Sequence, residues 1–217
     1  MAEPARNFEQ PHDRDARLHA LGLDQSTVEE IVLHGLRARQ AVSPLAPPPY
    51  PGTTQWAETI VGARLGLVPK DWTPDDSHNF SQIISPDGRI GIVVATGDEQ
   101  TGIATAEPRT KHPKGAETEA AVEANAQLEI PGLSLVAEEG QVPTRDTWVI
   151  LLHTSEFEMR YELSRPKTQD ALGRVTAWSD RIIFPSIDLE SLPSRNDNDG
   201  GDDDDGSTGI DVPVERI

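Results

Sequence analysis

The first third of the chain has apolar positions at helical spacing. Five apolar or small residues fall at i, i+3, i+4, i+7 and i+8: Val28, Ile31, Val32, Gly35 and Leu36. This spacing predicts a helix with one apolar stripe. Ser26 and Glu29 have the spacing of a capping box, so we expect the helix to begin at Ser26.

Three more helices are predicted from local signals. The first covers residues 15–21 and ends at Gly22. Five prolines between positions 44 and 51 exclude helix there and indicate an extended connector. A helix opening at Thr53 or Thr54 follows and ends before Pro69, and an Ala-rich helix is expected over residues 117–128.

After Trp72 the pattern becomes typical of strands. Strands are predicted over residues 79–85, 89–96, 147–153, 156–164 and 173–184. The strictest alternation lies in residues 156–164. It places Phe157, Met159, Tyr161 and Leu163 inward, and Glu156, Glu158, Arg160 and Glu162 outward.

The order of these elements predicts the fold class. Helices precede about five strands, and one helix is inserted among them, which favours an α+β fold with the N-terminal helices packed on an antiparallel sheet. We expect a flexible lead over residues 1–13 and a single domain over residues 14–190, helical in 14–70 and mainly β in 79–190. Residues 191–217 are expected to be a disordered acidic tail.

Composition narrows the classes of partner. The chain has 217 residues, no cysteine and a net charge of −18. Eight acidic and two basic residues in 191–217 account for −6, which leaves −12 on the rest. A protein with this charge repels phosphate at long range, so direct nucleic-acid binding is not expected.

The acidic first residues are unlike a signal peptide, and no apolar run has membrane-spanning length. We therefore expect a cytoplasmic protein that does not associate with a membrane.

One polar loop is the strongest candidate for a ligand site. Residues 97–114 lead into the helix predicted at 117–128, and Lys111-His112-Pro113-Lys114-Gly115 places positive charge at that helix start. The expected ligand-binding residues are Thr96, Asp98, Glu99, Thr101, Arg109, Lys111 and Lys114. The alternative is ordinary capping, since Glu117 and Glu119 already supply the negative charge that a helix start favours.

Other candidates have simpler interpretations. Residues 19–28 resemble the recognition-helix region of bacterial regulators, although two ordinary packed helices explain them as well. Asp75-Asp76-Ser77-His78 contains metal-ligand types but reads as a turn after Pro74. His153 and Thr154 are residue types used in nucleophilic catalysis. They are adjacent at the end of a predicted strand, where neighbouring side chains point to opposite faces, so they cannot easily act together. We therefore predict no catalytic residue, no metal and no cofactor.

Three segments carry a resemblance to a family. Gly52-Thr53-Thr54-Gln55-Trp56-Ala57-Glu58-Thr59, Val94-Ala95-Thr96-Gly97-Asp98-Glu99-Gln100-Thr101-Gly102 and Trp178-Ser179-Asp180-Arg181-Ile182-Ile183-Phe184-Pro185 make the chain similar to an uncharacterised group of bacterial proteins often carried on mobile elements. The resemblance implies a bacterial origin and an accessory or antiphage-defence setting, and it implies no activity or site residue.

Three functional hypotheses follow. The first is a non-enzymatic protein-binding module, an accessory subunit whose acidic tail, ending in a short apolar peptide, docks on a protein partner. The second is a small-molecule or nucleotide-binding enzyme that uses the loop at 96–115. The third is an acidic mimic of DNA, which requires carboxylates spaced like phosphates on one surface.

Overall fold

The computed structural model describes residues 4–129 and 144–191. In these ranges it has four α-helices: α1 (Pro11–Ala20), α2 (Gln25–Gln40), α3 (Tyr50–Leu67) and α4 (Ala116–Leu128). It also has eight strands: β1 (Arg6–Phe8), β2 (Thr73–Asp75), β3 (Gln82–Ile84), β4 (Ile90–Thr96), β5 (Asp146–Thr154), β6 (Glu158–Gln169), β7 (Val175–Ile183) and β8 (Ile187–Asp188). The α+β class and the inserted helix are confirmed. The tail from residue 192 onward lies outside the described residues.

The strands form one mixed sheet in the order β1-β7-β6-β5-β4-β3-β2, with β8 paired to β6. The expected antiparallel arrangement of about five strands is wrong at two pairs, because β4–β5 and β1–β7 are parallel. The β4–β5 pair is parallel because the chain crosses back through α4 between the two strands, as parallel neighbours require. The strands that sequence reasoning missed have two or three residues each, too few to show a period.

The sheet has a hydrophobic core on each face. The helices α1, α2 and α3 cover one face, where Leu18, Ile31 and Leu67 pack with Trp148 and Tyr161 of the sheet. The second core holds residues of the opposite face: Val93, Ala95, Val149, Leu151, Val175 and Trp178. The segment between β4 and α4 lies over this second core, since the indole N–H of Trp178 donates to the carbonyl of Pro108 at 2.8 Å. The sheet is therefore covered on both sides.

Residues 6–8 belong to the fold rather than to a flexible lead. They form β1 beside β7, and the carboxylate of Asp180 holds this end of the chain by accepting from Arg6 at 2.6 Å and from Arg17 at 2.7 Å. Because Asp180 is fully buried, both ion pairs are partly shielded from water. Both ion pairs join residues more than 160 positions apart, so the local sequence did not indicate them.

Two helix starts differ from the expected ones. Asp24, not Ser26, caps α2, and its carboxylate accepts from the backbone N–H of Thr27 at 2.7 Å. The helix α3 begins at Tyr50, inside the region where prolines were expected to exclude helix. Pro51 is tolerated there because the first turn of a helix has no internal partner for its N–H groups.

The alternation in β6 is confirmed on one face only. Met159, Tyr161 and Leu163 are buried in the core under the helices. Glu162, expected to face outward, is fully buried, because the segment between β4 and α4 covers the other face. Phe157 precedes the strand and is 62% exposed.

The structure gives no support for a DNA-recognition helix at residues 19–28. Gly22 has a positive φ of 73° and forms the turn between α1 and α2. The apolar stripe of α2 is buried, and α2 packs closely along α3. This arrangement favours the interpretation of two packed helices. Among the described residues, no helix is both long enough and apolar enough to cross a membrane.

Candidate anion-binding site

A cleft opens where the parallel strands β4 and β5 end. In open sheets, ligands bind outside the carboxyl ends of parallel strands, because the connecting segments diverge there and leave a crevice. Thr96 and Gly97 at the end of β4 and Leu152, His153 and Thr154 at the end of β5 line this cleft.

We call this cavity of about 490 Å³ the basic cleft. Its walls are Arg39, Pro48, Pro49, Gly52, Thr53, Gln55, Trp56, Thr96, Gly97, Lys111, His112, Lys114, Leu152, His153 and Thr154. Five of these side chains are basic or imidazole groups, and none of these fifteen residues carries a carboxylate. In a chain with a net charge of −18, this local reversal of charge marks the cleft as a place for an anion.

Backbone hydrogen bonds fix the lysines of the cleft. The N–H of Lys111 donates to the carbonyl of Thr96 at 2.8 Å, and the N–H of Lys114 donates to Gly173 in the β6–β7 turn at 2.8 Å. Directly before them, the N–H of Thr110 donates to the carbonyl of Val175 at 3.0 Å. The loop is therefore bonded to two parts of the sheet, which fixes the backbone positions of both lysines.

The first turn of α3 forms the opposite wall. Arg39, near the end of α2, reaches this turn, since a Cβ added to Gly52 would lie 3.9 Å from the Nη1 atom of Arg39. The backbone N–H groups of this turn offer little, because Pro49 and Pro51 have none and those of Tyr50 and Thr53 donate to the carbonyls of Pro47 and Pro49. The helix dipole still favours negative charge at this end. The wall therefore adds to the positive potential of the lysines.

Three ionisable groups of the cleft are shifted toward their neutral forms. Burial lowers the pKa of Lys114 and of Arg39 below their ordinary values. Burial also lowers the pKa of His153, and the charge of Arg160 lowers it further. An anion in the cleft would oppose each of these shifts, because opposite charge nearby favours the protonated form.

A second cavity adjoins the basic cleft, and we call this cavity of about 430 Å³ the apolar cavity. Its walls are Trp56, His78, Asn79, Phe80, Ser81, Val93, Val94, Ala95, Thr110, Pro113, Lys114, Gly115, Ala116, Glu117, Thr118, Val149 and Val175. Trp56 and Lys114 line both spaces. The apolar cavity exists because β3 pairs with β4 only as far as Val93, which leaves the last part of β4 without a neighbour on that side.

One wall of the apolar cavity has an unusual backbone. His78 and Asn79 are consecutive residues with φ of 56° and 60°. Left-handed conformations of non-glycine residues cost on the order of 1–3 kcal/mol each and persist where the surroundings hold them. Such strain is often found next to ligand sites.

The structure separates the seven residues that the sequence singled out. Thr96, Lys111 and Lys114 line the basic cleft. The others do not line it: Asp98 accepts from the N–H of Gln100, Glu99 accepts from Arg160 through its carbonyl, Thr101 is fully buried, and Arg109 is exposed. These four residues build and support the loop.

Sequence reasoning missed Arg39, Trp56 and His153. Arg39 and Trp56 belong to no recognisable binding motif, and His153 was set aside because adjacent residues on a strand point to opposite faces. The signal that could have found Arg39 and His153 is their position near the ends of α2 and β5, whereas Trp56 lies inside α3 and carries no such signal. That signal becomes useful only once β4 and β5 are known to be parallel neighbours.

The segment considered for a metal is a turn. The carboxylate of Asp75 accepts from the N–H of Ser77 at 2.9 Å and from Gln82 at 3.1 Å, and Asp76 pairs with Arg64. Within residues 4–129 and 144–191, no three His, Asp or Glu side chains come together as metal ligands would.

The fold and the cleft define an α+β protein with a mixed sheet and a basic crevice at the ends of its parallel strands. Comparisons with protein-family models, curated proteins and solved structures found no match.

Proposed function

We propose that the protein binds a small molecule carrying a phosphate group and that the basic cleft holds this phosphate. The observation that carries the proposal is the lining of the cleft, in which Arg39, Lys111, His112, Lys114 and His153 meet without a carboxylate among its residues. A cavity of this size is within the usual range for small-molecule sites, about 300–1,000 Å³.

The number of positive groups favours phosphate over a single carboxylate. A phosphate ester carries close to two negative charges at neutral pH and three acceptor oxygens. Two lysines and an arginine can each donate a charge-assisted hydrogen bond, and the dipole at the start of α3 adds to the positive potential. A lone carboxylate would leave part of this positive charge uncompensated.

The charge of the rest of the molecule favours a small ligand over a polynucleotide. The chain carries −18 in all, so a polymer of phosphates lying across its surface would be repelled outside the cleft. A small molecule meets only the local field. This agrees with the expectation that nucleic acid is not bound directly.

The proposal develops the ligand-binding hypothesis and does not require catalysis. The accessory, protein-binding function stays a prediction, because the tail on which it depends lies outside the described residues. The DNA-mimic hypothesis also stays a prediction. The bacterial and mobile-element setting rests on resemblance alone.

Isothermal titration calorimetry with inorganic pyrophosphate tests the proposal. We expect saturable binding of one pyrophosphate per chain, weakened at least about tenfold in a Lys111→Gln/Lys114→Gln double variant, because each charged hydrogen bond contributes about 1.5–3 kcal/mol. The side chains of both lysines lie in the cleft while only their backbones hold the loop, so the variant should keep its fold.

Arg109→Gln is the matched control. It removes one positive charge from the same loop, as each of the two lysine substitutions does, but Arg109 is exposed and does not line the cleft. We expect its affinity to stay within about twofold of the wild type. Equal weakening by the control and the double variant would show a diffuse charge effect, and no loss in the double variant would place the anion elsewhere. Either result rejects the proposal.

A further inference from the structure

The two cavities are neighbours that share part of their walls. Trp56 and Lys114 belong to the walls of both, so a ligand that extends past these two side chains would occupy both spaces. The two regions differ in character, because aliphatic side chains of β4, β5 and β7 line the apolar cavity. A ligand that fills both must combine an anionic end with a largely apolar body.

The apolar cavity presents aromatic surface at two places. The indole N–H of Trp56 already donates to the carbonyl of Val94 at 3.0 Å, so what Trp56 offers a ligand is ring surface. Phe80 supplies a second ring and packs against the core beneath the cavity. Flat aromatic groups stack favourably on such rings.

The polar groups of the apolar cavity argue against a plain hydrocarbon. Asn79, Ser81 and Glu117 stand among its apolar walls, and Glu117 lies 3.5 Å from the imidazole of His78. An acyl chain would leave these groups without partners where it displaces water. A heteroaromatic ring with amino and carbonyl groups can satisfy them and still stack.

The wall that carries Asn79 is a turn with two hydrogen bonds from backbone N–H groups. The N–H of Ser77 donates to the carboxylate of Asp75 at 2.9 Å, and the N–H of Phe80 donates to the carbonyl of Ser77 at 3.0 Å. A turn bonded in this way is suited to a rigid, planar group, because little ordering is needed when the ligand binds.

We propose that the apolar cavity binds the base of a nucleoside monophosphate whose phosphate lies in the basic cleft. This inference rests on the proposed function, and it adds the class of ligand. The base stacks on Phe80 and makes hydrogen bonds to Asn79, Ser81 or Glu117, while Trp56 and Lys114 lie at the junction with the phosphate.

Calorimetric titrations of the wild-type chain with AMP, GMP, CMP, UMP and ribose 5-phosphate test the inference. Ribose 5-phosphate has the same phosphate and sugar without a base. We expect at least one nucleotide to bind about tenfold or more tightly than ribose 5-phosphate, since stacking on one aromatic side chain can supply that factor. This comparison needs no variant, so it does not depend on how a substitution affects folding.

The Phe80→Ala variant tests whether the extra affinity for the nucleotide arises in the apolar cavity. We expect it to remove most of the difference between the preferred nucleotide and ribose 5-phosphate, while the affinity for ribose 5-phosphate stays within about twofold. Phe157→Ala is the matched control, because Phe157 is exposed, lies outside both cavities and should change neither affinity.

The outcomes separate the two proposals. If ribose 5-phosphate binds through Lys111 and Lys114 but no nucleotide binds more tightly, the base subsite is wrong and the phosphate site stands. If a nucleotide preference survives Phe80→Ala unchanged, the base lies outside the apolar cavity and the inference is again wrong. If pyrophosphate, ribose 5-phosphate and all four nucleotides fail to bind, both proposals are rejected.

Discussion

Glu162 and Arg181 form a buried two-point ion pair between neighbouring strands. The Oε2 atom of Glu162 lies 2.6 Å from Nη2 of Arg181, and Oε1 lies 3.0 Å from Nε. Glu162 also accepts from the N–H of Gly102 at 2.8 Å, and Arg181 donates to the carbonyls of Ile103 and Ala106. The pair therefore fastens to the sheet the same loop that carries the lysines of the basic cleft.

Glu162→Ala should be strongly destabilising. It leaves the guanidinium of Arg181 buried without its carboxylate and frees the N–H of Gly102. Removing one partner of a buried pair typically costs about 3–5 kcal/mol. We expect a loss of this size in the free energy of unfolding, measured by urea denaturation. Glu158→Ala is the control, because its pair with Arg160 is more exposed and should contribute within about 1 kcal/mol. Similar losses in both variants would contradict this reading.

Gly35→Ala should disrupt the contact between α2 and α3. A Cβ at this position would lie 2.1 Å from Oγ1 of Thr59 and 2.6 Å from the carbonyl of Gln55. Since these atoms belong to the facing helix, the helices must separate, at a cost of about 1–3 kcal/mol. Gly66→Ala is the control within α3, because its Cβ would meet atoms only at 3.7 Å. That variant should be neutral or stabilised by up to about 1 kcal/mol, as alanine favours helix. In thermal melts, Gly35→Ala should lower the melting temperature, while Gly66→Ala should leave it unchanged or raise it.

Asp24 should stabilise the fold in a pH-dependent way. Hydrogen bonds from the Ser26 hydroxyl and the Thr27 N–H hold the pKa of Asp24 well below its ordinary value of 3.8. A lowered pKa in the folded state gives stability that is complete above the unfolded pKa and is lost as the pH falls toward the folded value. We expect Asp24→Ala to cost about 1 kcal/mol at pH 7, as for other helix caps. Urea unfolding should show this difference shrinking as the pH falls below about 3.8, and a constant difference would refute the assignment.

His153 should report on the occupancy of the basic cleft. Burial and the charge of Arg160 lower its pKa below 6.5, so the ring is mainly neutral at pH 7. A bound anion favours the protonated ring, so pyrophosphate should raise the pKa of His153 in an NMR titration of its imidazole resonances. In the Lys111→Gln/Lys114→Gln variant, pyrophosphate should no longer move this pKa. If the wild-type value stays fixed at saturating pyrophosphate, the anion does not lie beside His153.

Local patterns predicted the individual elements well where the period was long enough. The stripe from Val28 to Leu36 lies in α2, and the alternation around Tyr161 lies in β6. The order of helices and strands predicted the α+β class. Elements of two or three residues, such as β1 and β8, were missed because their pairing depends on distant strands and not on their own composition.

The candidate site was only partly predictable for a related reason. The positive loop is visible in the sequence, and it supplies Lys111 and Lys114. Arg39 and His153 show no binding pattern in their own segments. They become candidate site residues because the fold places them in the same cleft as the two lysines. Asp98 of the same loop is structural, because its carboxylate accepts from the N–H of Gln100, and Glu99 supports the loop through its backbone carbonyl.

Short-range periodicity and charge are properties of neighbouring residues, so they were enough to predict the α+β class, the main helices and strands and the position of a basic loop. The parallel pairing of β4 with β5, the burial of Glu162 against Arg181 and the cleft between α2, α3, the loop and β5 became visible only in the folded chain. These features come from contacts between residues tens of positions apart. Such contacts form according to how whole surfaces pack, which no local pattern specifies.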